Sequence, residues 1–312
     1  MENYIAYGLE IESVFTLPEL RPGQSDGEPD IVIESASLTP VDTEADADGE
    51  RQVDVGPDRC RISYDGVGTF LVENGDRILV DPLSPEIPST KVFRRLLEGQ
   101  ILGVCCHQRD LLVLHGSAVQ IDGGAVVFLG PTGAGKSTTA AAFYGEGYPL
   151  LDDDIVVIET DGEQPTVAPG VPQLKLTPEM SDRFDIDATH VDDSQDVTEK
   201  THYRTEPVDV GQSGVPLAAC YILREGPTVS VEPVTGRDAL FDLVVNTYTS
   251  GLLDETERTA TNFRHCSRVT TAASVNLLSR PTDIGKLPEL IEVVSEERAD
   301  GANERQSISE VE

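Results

Sequence analysis

A buried-strand run, Gly124-Ala125-Val126-Val127-Phe128-Leu129, leads without a break into Gly130-Pro131-Thr132-Gly133-Ala134-Gly135-Lys136-Ser137-Thr138. The chain then reads Thr139-Ala140-Ala141-Ala142-Phe143-Tyr144, which opens a helix. The spelling G-x-x-x-x-G-K-S between a strand and a helix is the sequence of a phosphate-binding loop. Its glycines let successive backbone N–H groups turn inward around a phosphate, and the helix N-terminus adds partial positive charge. Lys136 supplies a point charge to β- and γ-phosphates, and the Ser137 hydroxyl can hold Mg²⁺. The expected ligand is ATP with Mg²⁺, cradled by Gly130, Pro131, Thr132, Gly133, Ala134, Gly135, Lys136, Ser137 and Thr138.

The flanking residues bear on what such a site could do. Upstream, Leu114-His115-Gly116-Ser117-Ala118-Val119-Gln120-Ile121 is followed by Asp122-Gly123, a two-residue hairpin signal. Pairing outward from that turn sets Ile121 opposite Gly124 and carries His115 to a position opposite Gly130. A lone histidine is ordinarily a core residue, but this register delivers His115 to the mouth of the loop. Downstream, Leu150-Leu151 leads to Asp152-Asp153-Asp154 and then Ile155-Val156-Val157-Ile158. Carboxylates at the edge of a buried strand after the first helix stand in a Walker-B-like place. In a strand Asp153 and Asp154 point to opposite faces, so one is expected toward the metal and the other toward an acceptor hydroxyl. A solvated acidic turn is the lesser reading of the triplet, and it bears most on Asp152.

The 312 residues carry 56 acidic and 23 basic side chains, a formal charge of −33. The acid is spread along the whole length, as on halophilic proteins that work in high salt. Such a charge repels nucleic acid and anionic membranes, so neither is an expected partner. Lysine is scarce: Lys91, Lys136, Lys175, Lys200 and Lys286. Five cysteines without metal-type spacing read as reduced, buried thiols of a cytoplasmic protein. The start, Met1-Glu2-Asn3-Tyr4, lacks the features of a signal peptide, and no 18-residue apolar stretch occurs.

The patterning divides the chain into three regions. Residues 1–106 read as a small antiparallel β-rich domain ending in a helix. Its marks are a strand over Tyr4 to Phe15, another at Ile31-Val32-Ile33-Glu34, and Cys60-Arg61-Ile62-Ser63-Tyr64. A hairpin at Asn74-Gly75 and helical spacing from Lys91 to Cys106 complete it. Residues 107–295 alternate apolar strands with helices as an α/β domain does, with helices expected over Arg237 to Thr247 and Ile284 to Val294. Within them, Ser181 to Pro207 is acidic and poorly periodic and reads as a long loop or lid. Residues 296–312 are an acidic tail expected to be loose.

The His115 segment, the phosphate loop and Leu150-Leu151-Asp152-Asp153-Asp154 together resemble the core of the HPr kinase/phosphorylase C-terminal domain and its serine-kinase-like relatives. The wider similarity is to the phosphoenolpyruvate carboxykinase-type P-loop fold. Gly170-Val171-Pro172-Gln173-Leu174-Lys175-Leu176 resembles a strand of that family that carries a basic residue near the nucleotide. Tyr7-Gly8-Leu9, Leu17-Pro18-Glu19-Leu20 and Val72-Glu73-Asn74-Gly75 resemble the N-terminal region of the smaller relatives and not that of the genuine HPr kinase. The resemblance implies an α/β (α+β) P-loop kinase domain preceded by the β-rich region. It implies that Lys136 stabilises the transferred phosphoryl, Ser137 binds Mg²⁺, and Asp153 and Asp154 supply a metal contact and a base. It further implies that His115 supports that carboxylate or the metal, and it makes Lys175 and Lys200 candidates for charge stabilisation. The implied activity is ATP- and Mg²⁺-dependent phosphorylation of a serine hydroxyl in a protein or peptide. A non-catalytic ATP-binding accessory or sensor protein is the rival from another class, and a carboxykinase acting on a small acid is a third. Self-association into a homo-oligomer is left open.

Overall fold

The computed structural model describes residues 1–24, 27–42, 51–56, 58–184, 201–208, 214–248 and 258–309. It is a mixed α/β structure. The first sheet comprises β1 (Glu2–Ala6), β2 (Leu9–Ser13), β3 (Arg21–Pro22), β4 (Ile31–Ser35), β5 (Arg51–Gly56), β6 (Arg59–Tyr64), β7 (Gly68–Glu73) and β8 (Arg77–Pro82). Their spatial order is β3-β1-β2-β4-β8-β7-β6-β5. Period-two burial drives it: Ile31 and Ile33, Phe70 and Val72, and Ile78 and Val80 all turn to one core.

Two expectations for this region need correcting. Tyr4 to Phe15 is not one strand but a hairpin, because Tyr7 (φ 56°) and Gly8 (φ 75°) turn the chain back. The sheet is also not purely antiparallel. β4 lies parallel to both β2 and β8, since long connections on either side free it from hairpin geometry.

The expected helix over Lys91 to Cys106 forms as Lys91–Leu96 and Leu102–Gln108, joined by a π-helical turn over Leu97–Ile101. Its apolar stripe packs Phe93, Leu97, Ile101 and Leu102 onto the sheet. Phe93 meets Phe15 and Phe70 at ring-centroid distances of 5.3 and 5.5 Å, pairs worth about 0.5–1.5 kcal/mol each beyond their burial. Arg94 pins the helix by donating from Nε to both oxygens of buried Glu19 (2.9 and 3.0 Å). The same core takes in Val113, Ile155 and Val157 from the C-terminal region, so the two regions are continuous in packing.

The second sheet contains β9 (Leu112–Ile121), β10 (Gly124–Leu129), β11 (Leu150–Glu159), β12 (Thr166–Ala168), β15 (Val215–Glu225), β16 (Ser230–Pro233) and β17 (Ser274–Arg280). A separate pair joins β13 (Gln173–Leu176) to β14 (Thr201–Arg204). The pairings β10-β9-β11-β12-β15-β10 close a ring, and β17 and β16 extend from β15. β10, β15 and β17 run parallel, and the other pairings are antiparallel. Both faces are covered. Val126 and Phe128 pack with the helices Lys136–Gly145 and Leu287–Ser309. Val127 and Leu129 pack with Gly236–Val245 and Arg258–Ala272. Such two-sided burial explains why these strands read as continuous apolar runs.

The segment expected as a loop from Ser181 begins inside the helix Pro178–Arg183 and ends through β14; residues 185–200, Lys200 among them, lie outside the described residues. The tail expected to be loose continues as helix to Ser309, and Tyr221 Oη donates to Glu297 of it (2.8 Å). All five cysteines are free and buried. Among the described residues, no helix is long and apolar enough to cross a membrane.

Candidate functional site

β9 positions the site because it pairs on both edges. On one side Ile121 faces Gly124 and Gly116 faces Leu129, so the next step sets His115 level with Gly130. On the other, Asp154 faces Gly116, Asp153 faces Ser117 and Asp152 faces Ala118. One strand thus gathers His115, the glycine-rich loop of residues 130–135 and the acidic triplet at one end of the ring. The triplet lies inside β11, not at its edge.

The loop leaves β10 through Gly130 (φ 144°) and enters the helix Lys136–Gly145 through Gly135 (φ 92°). Position 135 demands glycine on two counts. Its φ is left-handed, and a Cβ there would stand 1.8 Å from Arg280 Nη2, displacing the guanidinium that donates to Ala134 O. Lys136, 7% exposed, turns its ammonium onto the loop's own carbonyls, Gly130 O (2.8 Å) and Pro131 O (3.2 Å). Ser137 and Thr138 sit in the first helical turn, whose N–H groups have no intrahelical acceptor. Pro131 and Thr132 are exposed at the loop tip, and Ala134 donates its N–H back to Pro131 O (3.1 Å).

The three aspartates differ sharply. Asp152 is buried and accepts from Ile155 N (3.1 Å) and Val171 N (2.9 Å); burial pushes its pKa well above the carboxylate range. It is therefore a structural carboxyl fixing the 170–171 turn onto β11, and not part of a solvated turn. Asp153 is also buried, accepting from Ser117 Oγ (2.6 Å) and Lys175 N (2.8 Å), and burial raises its pKa too. Asp154 is partly open, with a quarter or so of its side chain exposed (28%). It has a φ of 116°, a backbone conformation that costs a non-glycine residue of order 1–3 kcal/mol and tends to occur at functional sites. Burial would raise its pKa, but Lys175, ion-paired to its Oδ2, reverses the shift, with His115 and Lys136 adding to it. Asp154 is held ionised.

His115 sets its Nδ1 against Asp154, 3.1 Å from the carbonyl oxygen and 3.5 Å from Oδ1. Burial and then the Lys136 charge lower its pKa, against the pull of Asp154. Its backbone N–H donates to Asn246 O (2.7 Å), and its ring faces Tyr248 at 6.0 Å. Lys175, the basic residue expected near the nucleotide, is ion-paired to Asp154.

Two residues at the site were unread in the sequence. Asn246, just after the helix Gly236–Val245, accepts Gly130 N on its Oδ1 (2.9 Å). Arg280, the last residue of β17, donates from Nη2 to Ala134 O (3.0 Å). Both reach the loop from elements distant in the chain, and no local pattern marks them. Ser117, within the segment that drew attention to His115, gains its role only through the register with Asp153.

No protein-family model matches the chain, and no curated protein matches it. Among solved structures, it is similar to one described as the Hpr(Ser) kinase/phosphatase from Coxiella burnetii, at 14% sequence identity, with 64% of this chain and 97% of that chain covered and a TM-score of 0.33.

Proposed function

We propose that this chain is an ATP- and Mg²⁺-dependent kinase that phosphorylates a serine hydroxyl of a protein or peptide. The observation that carries the reading is Asp154. It is a partly open carboxylate kept ionised by Lys175 and His115, in a strained backbone conformation, at the mouth of a phosphate loop. An ionised carboxylate in that position can accept the proton of an attacking hydroxyl. Merely holding a nucleotide needs no such group.

The donor set suits a triphosphate. Gly130, Gly133 and Gly135 have positive φ, and the space beside Gly133 is open. Lys136 would exchange its loop carbonyls for phosphate oxygens, and Ser137 and Thr138, in the first helical turn, would offer their free N–H groups to the same anion. Among the described residues, no three His, Cys, Asp or Glu side chains could by themselves hold a metal. That fits Mg²⁺, which binds through one or two protein oxygens together with phosphates and waters. Ser137 and Asp153 are the residues we assign to it, Asp153 retaining a free lone pair on each oxygen. When bound, the ion offsets the charge of the triphosphate oxygens. Asp154 then acts as the base, His115 orients it, and Lys175 keeps it ionised. Residues 107–295 carry this machinery, and residues 1–106 abut it through Tyr7 and the π turn.

The test is nucleotide binding followed by transfer. Mg-ATP at about a hundred times its dissociation constant should stabilise the fold by about 2.7 kcal/mol. Lys136→Ala should abolish that thermal shift while leaving the protein folded without ligand. Equal shifts in both proteins, or no labelled phosphate passing to any serine-bearing acceptor in a lysate at high salt, would refute the kinase; in the second case the passive ATP binder becomes the better account.

A further inference from the structure

A cleft opens behind Asp154, between the N-terminal region and the phosphate-loop region. Its walls come from three places: the π turn with Arg95 and Glu98, the acidic triplet of β11, and Gln173, Lys175 and His202 of the β13–β14 pair. The π turn is what brings Glu98 there. An inserted residue in a helix bulges the backbone, and such turns are frequent at functional sites.

Two polar atoms on these walls are buried without a hydrogen-bond partner: Glu98 Oε1 and Gln173 Nε2. Their residues are 5% and 6% exposed. Leaving such groups unsatisfied is costly, and where two of them line one cleft a bound ligand is a way to satisfy both. The two are of opposite sense. Gln173 has its Oε1 engaged by His202 Nδ1–H (2.9 Å), so Nε2 is the spare donor. Burial raises the Glu98 carboxyl well above the usual range, as does its hydrogen bond with Glu19. Because Oε1 is the oxygen without a partner, that bond runs through Oε2, where the proton of the neutral carboxyl lies, and Oε1 is left as a spare acceptor.

One spare donor and one spare acceptor lining the same cleft complement the carbonyl and N–H of a peptide backbone. We infer that this cleft is the acceptor subsite of the proposed kinase, binding the backbone amide of the serine to be phosphorylated between Gln173 Nε2 and Glu98 Oε1. The carbonyl accepts from Gln173, the N–H donates to Glu98, and the serine hydroxyl is thereby turned toward Asp154. The subsite rests on the kinase reading for its purpose but not for its existence. It distinguishes a serine within a chain, which offers an uncharged N–H and carbonyl, from the free amino acid, which offers an ammonium and a carboxylate in their place.

Saturation-transfer NMR on the full chain tests this with N-acetyl-L-serine N-methylamide as the probe and free L-serine as comparison. The capped serine should bind the wild type and lose affinity about tenfold in Gln173→Leu and in Glu98→Leu, with the Mg-ATP thermal shift intact. Free L-serine should bind more weakly. Should Glu98→Leu fail to fold, Gln173→Leu decides. No binding of the capped serine, equal binding in the variants, or equal binding of free serine overturns the subsite. Labelled-ATP transfer in the same samples separates the two readings. Capped serine that binds but never receives phosphate sinks the kinase and leaves the subsite; phosphate reaching a protein acceptor while the capped serine does not bind does the reverse.

Discussion

At the scale of the residue, neighbouring aspartates differ because their surroundings do. Asp153 is closed in, both oxygens accepting hydrogen bonds, while Asp154 is open and ion-paired. Asparagine substitutions should therefore fail in different ways. Asp154→Asn removes the proposed base and should lose at least about a hundredfold in phosphoryl transfer while the ATP-induced thermal shift persists. Asp153→Asn puts an amide where two donors, Ser117 Oγ and Lys175 N, need acceptors. It should lower stability by about 1–3 kcal/mol in urea titration. A drop in turnover for Asp153→Asn alone, with Asp154→Asn active, would reverse the two roles.

At the scale of the element, turns whose side chains carry their own geometry were legible and the rest were not. Asn74-Gly75 and Asp122-Gly123 form with both φ values positive, as those dipeptides favour. Tyr7-Gly8 makes the same kind of turn without any such signal in Tyr7, whose N–H is held instead by Pro169 O (2.8 Å). The His115–Gly130 register was readable because it is counted from a turn. The parallel position of β4, the π turn and the arrival of Arg280 and Asn246 are long-range outcomes that no local pattern encodes. The two legible glycines differ in tolerance. At Gly123 a Cβ meets nothing within 4 Å, whereas at Gly75 it would lie 2.7 Å from Arg109 Cγ and 3.1 Å from Arg109 N. Gly123→Ala should cost about 1–2 kcal/mol from its left-handed φ alone, and Gly75→Ala distinctly more. Equal urea midpoints for the two would contradict this account of the helix–hairpin contact.

At the scale of the whole molecule, a net charge of −33 sets the conditions under which the other interactions operate. Self-repulsion among surface carboxylates opposes compaction, and it reaches farther as salt is removed. The screening length exceeds about 10 Å below about 0.1 M salt. Melting temperature and transfer rate should both climb with KCl from about 0.05 M into the molar range. A flat melting curve across that range would show that the acidic surface is not self-opposing. The fold's answer to that repulsion lies in its interior. Arg94 and Glu19 pair under the first sheet, and both faces of the second sheet are covered by helices.

On the kinase reading, the backbone of Asp154 sets activity against durability. A residue held at φ 116° would be more comfortable as glycine, and Lys175, 30% exposed, would remain solvated without its partner. Selecting a library for heat resistance alone, with no demand for turnover, should enrich Asp154→Gly, melting higher than the parent and inert as a phosphotransferase. Its absence from such survivors, with other positions well sampled, would mean that the ion pair outweighs the strain.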